Sequence, residues 1–191
     1  MVEERAAYRE DTGAAEPGSL IFLAESGVST DMTRRHARAP RGERACGSAP
    51  GGWRRLTLLG ALGVDGPVAA MTIEAATSAA VFLAFLDQVL LPELARRRPG
   101  ATLVMDNLRA HKVEAVREHI EAAGFRLRYL PRYSPDLSPI EPCWSKIKAS
   151  LRAKEARSVA DLDRELPGTL ATITASDARG WFRHCGYAAP N

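Results

Sequence analysis

The sequence predicts an α/β domain built on a mixed five-stranded sheet with helices on both faces. Three observations carry this expectation. The apolar run Leu20-Ile21-Phe22-Leu23-Ala24 reads as a central strand covered on both sides. Two apolar segments, residues 56–62 and 68–73, flank Asp65-Gly66, a strong hairpin turn. Beyond residue 76 the pattern changes to alternating helix and strand, which places helices over a partly parallel sheet.

The elements follow in order. Residues 1–18 have no apolar period and end in Glu16-Pro17-Gly18, so they read as a lead-in arm. A domain is expected over 19–187, and 188–191 form a tail. Residues 20–28 make the first strand. Residues 29–52 are polar, Arg-rich and broken by Gly and Pro, with a short strand expected at 44–48. After the hairpin, Thr77 or Ser78 caps a long helix on which Val81, Phe82, Phe85, Leu86, Val89 and Leu90 recur at helical spacing. Arg96, Arg97 and Arg98 suit its carboxyl end, and Pro99-Gly100 stops it. A short buried strand (102–105), a helix (111–123) ended by Gly124, and a strand (125–130) come next. A helix opens at Ser138 or Pro139 and runs to near residue 156. Two shorter helices, 158–170 and 176–184, complete the chain.

Composition narrows the function classes. With 46% hydrophobic and 26% charged residues, the chain has the make-up of a water-soluble domain. No apolar stretch approaches the roughly 20 residues of a membrane helix, and the polar start Met1-Val2-Glu3-Glu4-Arg5 is no signal peptide, so no membrane partner is expected. Three widely spaced cysteines, Cys46, Cys143 and Cys185, fit neither a disulfide framework nor a zinc site and point to a reducing cytoplasm. The net charge is only +3, but it is unevenly spread. Residues 32–55 hold seven Arg against Glu43 alone, and residues 128–157 hold seven Lys or Arg against three acids. Clustered positive charge is the footprint of a polyanion binder, although either cluster alone is equally well read as solvated surface.

Two acids stand out by setting. Asp106 closes the strand at 102–105, at the sheet rim where ligands of open α/β sheets gather. Glu141 follows with 34 residues between, after a loop stiffened by Pro131, Pro135 and Pro139. Each has a plain structural alternative. Asp106 suits an Asx turn, and Ser138-Pro139-Ile140-Glu141 reads as a capping box with Ser138 at the N-cap. Two carboxylates so placed also suit a shared divalent cation, the geometry of two-metal phosphoryl transfer. A third acid belongs on the first strand, where the chain has Ala24. Glu25 is no substitute, because consecutive strand residues face opposite sides. His111 is either a contact near substrate phosphate or a surface histidine. His36 belongs to the basic loop, and Trp53, Trp144 and Trp181 read as packing residues rather than stacking platforms.

Three blocks carry a family resemblance. They are Ile21-Phe22-Leu23-Ala24-Glu25-Ser26-Gly27-Val28, Val104-Met105-Asp106-Asn107-Leu108-Arg109-Ala110-His111, and Leu130-Pro131-Arg132-Tyr133-Ser134-Pro135-Asp136-Leu137-Ser138-Pro139-Ile140-Glu141. Together with Arg38-Ala39-Pro40-Arg41-Gly42-Glu43-Arg44 and Phe182-Arg183-His184-Cys185-Gly186-Tyr187, they resemble the catalytic domain of bacterial insertion-sequence transposases of the IS630/Tc1-mariner superfamily, over roughly residues 20–187. The resemblance implies an RNase H-like fold and a DDE-type reaction, in which two Mg²⁺ or Mn²⁺ ions activate water and then a DNA 3′-hydroxyl. It makes Asp106 the second catalytic acid and Glu141 the third, both metal ligands. Ala24 falls at the first acid's place, where the family usually reads Asp-Glu-Ser/Thr-Gly. The family's amino-terminal helix-turn-helix region has no counterpart here. Both departures imply an impaired copy, or a non-catalytic remnant that binds DNA or an intact transposase. The implied partners are transposon-end and target DNA and a second copy of the chain, in a bacterial cytoplasm beside the nucleoid. Arg34, Arg35, Arg38, Arg41 and Arg44, with Lys146, Lys148 and Arg152 after Glu141, are the expected DNA contacts.

Overall fold

The structure, a computed structural model, describes residues 2–13, 15–34, 36–48, 51–108 and 113–189. Its five strands are β1 (Leu20–Ser29), β2 (Arg55–Gly63), β3 (Gly66–Ile73), β4 (Thr102–Met105) and β5 (Arg126–Tyr129), in the order β3-β2-β1-β4-β5. β1 pairs antiparallel with β2 and parallel with β4, and β4 pairs parallel with β5. β1 is therefore central, and residues Leu20 through Ala24 are all buried, as an apolar run without alternation requires.

The sheet separates two core layers. Leu20, Phe22, Ala24 and Val104 face one side; Ile21, Leu23, Leu103 and Met105 face the other. The first layer is covered by α1 (Val2–Gly13), α5 (Ile140–Ala153), α6 (Val159–Leu170) and α7 (Ala175–His184), with Phe22 packed edge-on to Phe182 at 5.3 Å between ring centres. The second is covered by a continuous helix over residues 79–97 and by α4 (Glu114–Ala122).

That long helix starts where Ser78 accepts a hydrogen bond from the Val81 amide. It divides into α2 (Ala79–Phe85), a π-helical segment (Leu86–Leu90) and α3 (Leu91–Arg97). Pro92 explains the division. Its ring lacks an amide proton and crowds the carbonyl four residues back, so the preceding turn widens.

The structure adds to one expectation and corrects another. The expected lead-in arm is helical: residues 2–13 form α1, which buries Tyr8 and Thr12 against the domain. The sequence hid this because a single large apolar side chain anchors the helix. Residues 44–48 form no strand; they are exposed. Residues 36–48 have no regular structure and stay exposed throughout.

Candidate active site

Asp106 follows directly on β4. The parallel register pairs Phe22 with Val104 and Leu23 with Met105, so the next step sets Asp106 level with Ala24. Alternation puts both on the layer that α5 covers. Glu141 lies in the first turn of α5, which packs on that layer through Ile140, Trp144 and Ile147. Ala24, Asp106 and Glu141 all line one cavity of about 750 Å³, walled also by Leu23, Asn107, Arg132, Tyr133 and Ser138.

The connecting strap, residues 130–139, is held at several points. The Leu130 amide donates to the Met105 carbonyl at 2.9 Å, and the Asn107 side-chain amide donates to the Leu130 carbonyl. A 3-10 turn, Pro135–Leu137, then leads into α5. Tyr133, 90% exposed, takes a left-handed backbone (φ 53°) at the cavity mouth.

The structural alternatives for the two acids separate here. Asp106 makes its Asx turn: its Oδ1 accepts from the Leu108 amide at 3.0 Å. The capping box on Ser138 does not form. Pro139 is the N-cap of α5 without a side-chain cap, and the Glu141 amide is already bonded to the Ser138 carbonyl at 3.1 Å. That bond uses the amide a Ser138 hydroxyl would have capped. Among the described residues no hydrogen bond holds the Glu141 carboxylate. Partial burial pushes its pKa up; the Lys148 ammonium opposes this, and the negative charge of Asp106 adds to it. The mutual influence of the two carboxylates fits their shared cavity.

The acid set is incomplete for a pair of cations. Among the described residues no three His, Cys, Asp or Glu side chains are grouped to hold a metal ion. Ala24 contributes only a methyl group, 7% exposed, to this cavity. Glu25 lies on the other side of the strand, lining a separate cavity with Arg55, Thr57, Glu74 and Thr77. Two carboxylates do not satisfy two divalent ions, each of which wants about six oxygen ligands.

The basic residues scatter. Arg34 donates to the Ala153 carbonyl at 3.0 Å and Arg157 to the Met32 carbonyl at 3.0 Å, so the start of the basic loop docks on the end of α5. Arg38, Arg41 and Arg44 are exposed, as is His36. The Lys146 ammonium is engaged within the protein: it holds Asp177 at 2.6 Å and the Thr172 carbonyl at 3.1 Å, tying α5 to α7. Lys148 and Arg152 are half-buried. Arg35 and His111 lie outside the described residues. Trp144 is buried and Trp181 packs on the core, but Trp53 is 60% exposed with the Arg55 guanidinium 5.8 Å from its ring centre. Sequence reasoning missed Arg5 and Tyr187, which contact the strap, and Tyr8, which bonds Tyr187 behind it; no periodicity or motif marked Arg5 or Tyr8.

A family model described as DDE superfamily endonuclease matches residues 19–163. The chain belongs to this family. Among solved structures, the Mos1 transposase paired-end complex with the left transposon end superposes with a TM-score of 0.80 at 16% identity, covering 96% of this chain and 57% of that one. The Mos1 mariner paired-end complex with Mn gives 0.72 at 19% identity, covering 94% and 55%. The isolated catalytic domain of Mos1 mariner transposase gives 0.64 at 17% identity, covering 96% and 83%. The DDE chain described here thus spans a little over half of the longer transposases it superposes on, and its sheet has the RNase H-like arrangement of their catalytic domain. No curated protein matches it.

Proposed function

We propose that this chain is the catalytic domain of an insertion-sequence transposase of the IS630/Tc1-mariner type, built to cleave DNA and transfer its strands, and that this copy is impaired in the chemical step. The observation that carries the reading is one cavity lined by Asp106, Glu141 and the methyl of Ala24. In that assignment Asp106 and Glu141 are the second and third acids of the DDE set and Ala24 is the vacant first. Mg²⁺ or Mn²⁺ would be held by Asp106 and Glu141, but weakly, because the first acid's charge and oxygens are missing. The solved relatives include a Mos1 catalytic domain with Mn and another with Mg. Loss of one such ligand lowers the rate by about 10³-fold or more, as with other essential catalytic groups.

The substrate class is DNA, both transposon ends and target, reached through the exposed Arg38, Arg41 and Arg44 and the basic side chains after Glu141. Arg35, Lys148 and Arg152 belong to the same proposal; Lys146 serves it less well while its ammonium is tied to Asp177. A second copy or an intact transposase is the protein partner, and the setting is a bacterial cytoplasm beside the nucleoid. Among the described residues no helix is long and apolar enough to cross a membrane.

Ala24 also favours a second reading, a non-catalytic remnant that binds DNA or an intact transposase. One experiment separates the two. The parent, Ala24→Asp, and Ala24→Asp with Asp106→Ala are assayed for nicking of supercoiled DNA in Mn²⁺. The expected result is an inert parent, nicking by Ala24→Asp, and loss of nicking in the double variant. Nicking by the parent, abolished by Asp106→Ala, would overturn the impairment. Salt-sensitive DNA binding with no nicking by any variant would favour the remnant.

A further inference from the structure

The 3-10 turn Pro135–Leu137 lies four residues before Glu141, and two side chains of α1 reach it by separate routes. Arg5 donates to the Ser134 hydroxyl at 2.8 Å and to Asp136 Oδ1 at 2.9 Å, with a second, closer contact to Asp136 Oδ2. Tyr8 acts through Tyr187, which follows α7. The Tyr187 hydroxyl donates to the Leu137 carbonyl at 2.7 Å, so it receives its other hydrogen bond from the Tyr8 hydroxyl at 2.9 Å. Both tyrosines are 7% exposed. The turn then hands on to α5 by backbone bonds, Ser138 amide to Pro135 carbonyl at 3.0 Å and Glu141 amide to Ser138 carbonyl at 3.1 Å.

We propose that α1 is a latch on the strap that presents Glu141, with Arg5 as its positioning residue. Between the tether at Ser134 and Asp136 and the acid lie only two prolines, a 3-10 turn and a helix start, each with restricted backbone. Arg5 suits the task because its planar fork engages Ser134 and both oxygens of Asp136 together, which an ammonium could not do. Movement of α1 therefore changes where Glu141 sits relative to Asp106. The consequence for catalysis rests on the DDE reading above; the mechanical coupling does not.

Hydrogen exchange of the full chain tests the latch. In Arg5→Ala, the amides of Leu137, Ser138 and Glu141 should exchange about tenfold faster, the loss expected of a hydrogen bond to a charged group, while sheet amides stay unchanged. Arg5→Lys should restore part of the protection. Arg5→Glu combined with Asp136→Arg should restore more than either alone. Unchanged exchange at those three amides, or an equal rise throughout the sheet, would overturn the proposal. A second readout uses Ala24→Asp as the parent: adding Arg5→Ala should lower kcat for nicking and leave KM for DNA unchanged. A fall in binding alone would count against positioning. Failure of Ala24→Asp to nick DNA would count against the DDE reading, and the exchange result would still decide the latch.

Discussion

At the scale of single residues, the candidate site depends on small groups as much as on acids. Gly60 pairs with Ala24 across β1 and β2, and the Trp144 ring lies directly on it: a Cβ there would come within 2.5 Å of the indole. Gly60→Ala must push the buried Trp144 off the sheet, and α5 with it. Overpacking of this kind costs about 1–3 kcal/mol, measurable as a lower urea midpoint with an unchanged slope. The placement of the two acids on one cavity was foreseeable, because Asp106 closes an apolar strand and Glu141 opens a helix. The register that sets Asp106 level with Ala24 was not legible, because β1 and β4 are apolar on both faces; it comes from their parallel pairing. The failed capping box was not legible. Ser138-Pro139-Ile140-Glu141 satisfies the motif, but the 3-10 turn before it lets the Ser138 carbonyl take the Glu141 amide first. Local sequence could not reveal that competition.

At the scale of elements, the helix bearing Glu141 is braced at its middle. Lys146 of α5 bonds Asp177, which also caps α7 reciprocally with Thr174. The Lys146 ammonium, then the Thr174 amide and hydroxyl, hold the Asp177 carboxyl down to about 2. In the unfolded chain it titrates near 3.9. A carboxyl depressed by folding contributes stability fully above its unfolded value, and that contribution is lost as pH falls through its folded one. The melting temperature should therefore drop between pH about 4 and about 2, and Lys146→Met should flatten that acid limb, as followed by circular dichroism. An unaltered limb in the variant would place the acid sensitivity elsewhere. Strands, hairpin and the long helix were readable because many apolar residues repeat in each. α1 was not, since its attachment rests on Tyr8, Thr12 and a polar contact to a segment about 130 positions away. The widened turn at Leu86–Leu90 was equally hidden, although Pro92 gave its cause.

For the whole molecule, electrostatics is the property to measure. The chain carries seven acids and two Arg in its first 31 residues, whereas the stretch from 32 to 55 is almost wholly cationic. If Arg38, Arg41 and Arg44 contact DNA phosphates, the plot of log K against log salt should be steep. The triple Ala variant should flatten it by about 0.9 for each contact removed. An unchanged slope would assign DNA binding to the face around α5. The meeting of Tyr8 with Tyr187 has a further use. Segments 179 positions apart in sequence are in contact through their hydroxyls, beside the same turn. A covalent cross-link between these two segments would follow a path the fold already provides, and the backbone could be opened within residues 36–48, which are exposed and irregular. Such a rearranged chain should keep the five-stranded sheet.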